Sequence, residues 1–159
     1  MGEITSRKSL VSAVAGILQT CYGEEQPLIN LTSQDVGFWL DPMVVGEDSR
    51  WPVDGDEVIK IEKPSSRESF QVMADFADSQ SGDIADRLYR ALDGRHPFAR
   101  FKDVVCLMGI SDKWYAYRDK RYEEMADRWL RLTGTDVKDG KIVTTCKPIT
   151  WSREYEDAF

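Results

Sequence analysis

The chain has 159 residues, is 42% hydrophobic and 31% charged, and carries a formal charge of −7. Its length suits a single domain that buries a continuous core without staples, and its acidity argues against a general affinity for nucleic acid or anionic membranes, leaving room for a local basic patch. Cys21, Cys106 and Cys146 are far apart with no C-x-x-C spacing; this excludes a disulfide framework and a zinc site, and reads as reduced thiols in a cytoplasmic protein, with Cys106 expected in the core.

The first apolar run, Leu10 to Leu18, follows Arg7 and Lys8 and has the outline of a basic region before a short export signal. It lacks a small-x-small cleavage site and is too short to span a membrane, so it reads as a buried amphipathic helix, with export as the alternative. Residues 23–63 then read as strands and turns. Leu28–Leu31, Val36–Leu40, Met43–Val45 and Val58–Ile61 are short apolar or alternating runs, punctuated by Gly46, Pro52, Asp54-Gly55 and Pro64. A small antiparallel sheet is expected, with Val58 and Ile59 on opposite faces.

From Ser65 to Thr133 the period becomes helical. Ser65 and Glu68 form a capping-box pattern ahead of a helix burying Phe70, Met73, Ala74 and Ala77. Ser81 opens a second helix, with Ile84, Leu88 and Leu92 inward and Gly94 as its stop. Pro97 opens a third, with Phe98, Phe101, Val105 and Met108 inward, closed by Gly109. A long fourth helix runs from Ser111 to about Thr133, with Trp114, Arg118, Tyr122, Met125, Trp129 and Leu132 along one stripe and Gly134 ending it. Links this short predict antiparallel packing of successive helices. Asp139-Gly140 predicts a hairpin turn, and Ser152 to Phe159 a frayed tail. The expectation is α+β, one domain over 1–159, strand-rich over 23–63, helical over 65–133, with a hairpin and tail over 136–159.

Catalytic patterns are sparse. His96, the single histidine, would have to serve as base in any Ser-His-Asp or Cys-His scheme, and a surface turn residue is the simpler reading. No phosphate-binding glycine loop is present. Asp54–Glu57 and Asp78–Asp83 lack the ligand spacing of a calcium loop and read as solvated turns. The reading therefore names no catalytic residue, no cofactor and no metal, and leans away from an enzyme. Charge is unevenly spread. Asp41, Glu47, Asp48, Asp54, Asp56 and Glu57 face only Arg50, whereas Arg87, Arg90, Arg95, Arg100 and Lys102 face only Asp93. The basic turn over 87–102 suits single-stranded RNA or DNA, or else pairs with the protein's own acids. Tyr115 and Tyr122 share a helix face with Arg118 between them, an aromatic–arginine stripe of the kind found in protein interfaces.

Gly94-Arg95-His96-Pro97-Phe98-Ala99-Arg100-Phe101-Lys102-Asp103, followed by Trp114-Tyr115-Ala116-Tyr117-Arg118 and Trp129-Leu130, resembles an uncharacterised family of bacterial proteins with a G-R-x-x-F-x-x-F-K-D segment ahead of W-[YF]-x-[YF]. Pro64–Phe70 and Met73–Phe76 fit the same pattern, and the resemblance covers about Val58 to Leu132. It implies no reaction, substrate or catalytic residue. Within the signature, Gly94, Pro97 and the two phenylalanines have structural explanations, whereas Arg95, Arg100 and Lys102 do not. The functional expectation is a non-enzymatic protein-interaction module, adaptor or inhibitor-like, in the bacterial cytoplasm. The alternative is RNA or single-stranded DNA binding through Arg95, Arg100, Lys102 and Arg118.

Overall fold

Local signals begin the first helix cleanly. Ser6 and Ser9 form a reciprocal capping box at the start of α1 (Arg7–Thr20), each satisfying a backbone N–H that the helix leaves without a partner. The computed structural model describes residues 3–21, 23–40 and 51–152. The expected strand at Met43–Val45, the acids Asp41, Glu47 and Asp48, and residues 153–159 of the expected frayed tail lie outside them. Two compact units form, Met1–Lys63 with Tyr122–Phe159, and Pro64–Arg121. The fold is α+β.

Among the described residues the first unit holds six strands: β1 (Gln26–Asn30), β2 (Asp35–Trp39), β3 (Glu57–Lys60), β4 (Asp136–Lys138), β5 (Lys141–Val143) and β6 (Ile149–Thr150). Four make an antiparallel sheet in the order β2-β1-β3-β6, and β4-β5 is a separate hairpin. Its turn is the expected Asp139-Gly140, with φ of 51° and 74°, as a two-residue turn matched to strand twist requires. In the sheet Leu28 pairs with Gly37 and Ile29 with Ile59. Successive residues point to opposite faces, and here both faces are covered. Ile29, Val36 and Ile59 pack with Leu10, Val14 and Leu18 of α1 and with Ala126 and Leu130. Leu28 and Val58 pack on the other side with Trp39 and Trp151. The two-sided burial explains why Leu28-Ile29 and Val58-Ile59 are both consecutive apolar pairs.

The second unit is helical: α2 (Ser66–Ser79), α3 (Gly82–Leu92), α4 (Pro97–Leu107) and the first half of α5 (Ser111–Leu132). Ser65 accepts from the Glu68 amide at 3.1 Å, Pro97 occupies the first turn of α4, and Gly109 and Gly134 take positive φ of 67° and 61° after α4 and α5. The core is an aromatic cluster. The Phe76 ring meets Phe101 and Trp114 edge-on, and Phe101 lies 4.8 Å from Trp114 between ring centroids.

Four expectations about the helices' inward faces need correction. On α2 the buried set is Val72, Met73, Phe76 and Ala77, because the cluster is built on Phe76; Phe70 and Ala74 are only half-buried. Phe101 completes that cluster at 0% exposure, so Phe98, one turn earlier at the helix end, remains 41% exposed. Cys106 is also exposed, since it lies one residue past Val105 and off the inward face. Cys21 is the buried thiol. Leu132, at the end of α5, is 80% exposed.

Candidate functional site

The basic segment folds onto two helices that meet along a groove. On α3, Arg90 and Ala91 lie three and four residues after Arg87; on α4, Arg100, Asp103, Val104 and Leu107 repeat at three- and four-residue spacing, which puts each set on one helix face. Together with Met108 they line a groove of about 290 Å³. Its floor is apolar, from Ala91, Val104 and Met108, and Leu107 stands at its edge 80% exposed. The core face of α4 is separate, carried by Phe101 and Val105. The helix therefore has two apolar faces, one buried and one open.

Charge is concentrated there. Arg87 donates to Asp83 at 2.9 Å, one turn back on α3. Arg90 and Arg100 have no ion-pair partner among the described residues, and Asp103 is the single carboxylate of the lining. Arg100 is placed by the turn between the helices. A β-carbon added at Gly94 would lie 2.4 Å from Arg100 Nη1, so the guanidinium occupies the space a side chain would otherwise take. His96 sits in that turn with φ of 52° and is exposed.

The other expected residues are distributed more widely. Arg95 and Lys102 are exposed and do not line the groove. Arg118 stacks over the Tyr115 ring at 4.9 Å and pairs with Asp119 at 3.2 Å, while Tyr115 is 49% exposed. Tyr122, one heptad after Tyr115, is half-buried and packs against the core on the α1 side of the sheet. Tyr115 and Arg118 thus form a stacked pair, and Tyr122 belongs to packing.

Two polar arrangements serve structure. Asp56 is buried and accepts from Asn30 Nδ2 at 2.8 Å and from the Val53 amide at 3.0 Å, which corrects the reading of Asp54–Glu57 as a wholly solvated turn. Arg121 donates to Asp75 at 2.7 Å and to the Tyr117 hydroxyl at 3.0 Å; the Arg121 hydrogen bond, followed by that from Gln71, holds the Asp75 carboxyl below its ordinary range. Burial, reinforced by Glu25, pushes the Cys21 thiol up to about 11, the opposite of what an activated nucleophile needs. Among the described residues no group of three or more His, Cys, Asp or Glu side chains could hold a metal ion. No helix among them is long and apolar enough to cross a membrane.

Sequence reasoning found the arginines but missed the groove floor. Val104 and Leu107 were available as a signal, being apolar residues outside the Phe101–Val105 stripe. Comparison with protein families, with curated proteins and with solved structures finds no match.

Proposed function

We propose that the chain is a non-enzymatic protein-interaction module that engages a partner protein through the α3–α4 groove. The observation that supports this most directly is Leu107, 80% exposed at the edge of an apolar floor. A large aliphatic side chain left in water beside further apolar surface and unpaired arginines suits a surface that a partner covers. Arginines at its rim add directional donors of the kind enriched at interface hot spots.

RNA or single-stranded DNA binding is the second reading, and the exposed Arg90, Arg95, Arg100 and Lys102 favour it. Its weakness is that no aromatic ring lines the groove among the described residues, whereas sequence-tolerant binding of single strands relies on stacking.

A peptide-display selection on the full chain, run in parallel on Leu107→Asp, tests the first reading. Peptides enriched by the native chain and lost by the variant are expected. Absence of enrichment by the native chain overturns it. Oligouridylate and oligothymidylate titrations test the second, which requires an affinity that falls steeply as salt rises.

A further inference from the structure

We infer that the occupant of this groove is a short protein segment in which acidic side chains alternate with aliphatic ones, and that Gly94 is the residue that positions Arg100 to read it. This deepens the interaction reading and rests on it.

Arg87 already has Asp83 as a partner, but Arg90 and Arg100 both line the groove with no carboxylate in ion-pair range among the described residues, and among these Asp103 alone opposes them in the lining. Two unpaired guanidinium groups beside an apolar floor match a carboxylate held next to a leucine-like side chain, because planar guanidinium donors bind carboxylates in paired fashion. Asp103 also sets direction. It repels a second acid at its own part of the groove, so the partner's acidic positions belong near Arg90 and Arg100.

Other occupants fit less well. A free phosphate would use the arginines and leave Val104, Leu107 and Met108 unused. A polynucleotide would find no ring to stack on among the described lining residues. A volume of about 290 Å³ sits at the small end of ligand sites, suited to a few side chains of a docked segment.

Gly94 adds a feature specific to this chain. Its φ lies outside the left-handed region, and a β-carbon there would meet the flexible tip of Arg100 rather than backbone, which lies 3.7 Å away at Arg90 O. Alanine is therefore tolerated by the fold, but displaces the guanidinium. The absence of a side chain at 94 works as a seat for Arg100, with Gly94 as a positioning residue.

The test uses the full chain and three labelled peptides: repeats of Leu-Glu-Glu-Leu, of Leu-Gln-Gln-Leu and of Ser-Glu-Glu-Ser, read by fluorescence anisotropy. The first is expected to bind about tenfold or more tighter than either control, since each lacks one of the two contributions. Gly94→Ala is expected to weaken Leu-Glu-Glu-Leu by about fivefold to tenfold, with the unfolding midpoint and the Leu-Gln-Gln-Leu affinity unchanged. In an Arg100→Gln background, Gly94→Ala is expected to have no further effect. A purely structural role for Gly94 would move the midpoint and persist in that background, and either result overturns the assignment. Preference for Leu-Gln-Gln-Leu, or display selection of neutral or basic sequences lost in Leu107→Asp, overturns the acidic occupant while keeping the interaction reading. Competition for the groove by oligouridylate, or by self-association of the chain, also overturns it. Absence of any selected peptide defeats both together.

Discussion

Asp56 shows how a single side chain can change its meaning once the chain is folded. In the sequence it belongs to an acidic run; in the structure it is 8% exposed and ties two backbone segments together through Asn30 and the Val53 amide. Asp56→Ala would leave the Asn30 amide and a backbone N–H without their acceptor, at a cost of about 1–3 kcal/mol. Asp54→Ala, on the exposed neighbour, should fall within about 0.5 kcal/mol of the native chain. Urea unfolding of the two variants checks the contrast. The cysteines offer a second residue-scale prediction. Cys106 is exposed, and Cys21 is buried with its thiol raised from 9.0 to about 11. Near neutral pH, Ellman's reagent should modify Cys106 rapidly and reach Cys21 only on unfolding. The raised value also has a sign for stability. Between pH 9 and 11 the unfolded chain loses the Cys21 proton that the folded chain keeps, so this group's contribution is fully present below pH 9 and is lost as pH rises toward 11.

At the scale of elements, α4 separates two phenylalanines that periodicity alone treats as equivalent. Phe101 is 0% exposed, against Phe76 and Trp114, and Phe98 is 41% exposed. Phe101→Ala should cost about 3–5 kcal/mol through the cavity it leaves. Phe98→Ala should cost less than about 1 kcal/mol. Equal shifts in the unfolding midpoint would contradict the burial pattern. Much of the element layout was legible because it is written in local chemistry: Ser65 and Pro97 start helices, Gly109 and Gly134 end them, and Asp139-Gly140 turns the hairpin. Sheet order was not legible. The partner of β3 at the sheet edge is β6, and Val58 pairs with Ile149, a contact that no local pattern announces. Trp151 fills the same face with Trp39, their ring centroids 6.1 Å apart. The candidate site was half legible. An uneven charge distribution pointed to Arg90 and Arg100, but Val104 and Leu107 lie outside the inward set expected for this helix (Phe98, Phe101, Val105 and Met108) and nothing in the sequence marked that second face as open. Gly94 read as a helix stop, and its second role depends on where the tip of Arg100 lies.

For the whole molecule, the balance of charge makes a prediction that the groove alone does not. The chain carries −7 overall, yet the proposed contact pairs arginines with carboxylates. An acidic peptide is therefore repelled at long range and attracted at contact. Salt acts unequally on the two, because a Debye length of about 10 Å at 0.1 M screens distant charges strongly and hydrogen-bonded pairs much less. The apolar floor contributes a part that salt does not weaken. The affinity for Leu-Glu-Glu-Leu should consequently change by less than about threefold between roughly 0.05 and 0.3 M sodium chloride, a much shallower response than the decades lost by a protein that neutralises several phosphates. Anisotropy titrations across that range measure it directly. A steep fall would mean that exposed cations beyond the groove, such as Arg95 and Lys102, carry the binding, and would return the polyanion reading to first place. A shallow one would fit a partner recognised by a local match of carboxylate and aliphatic side chain.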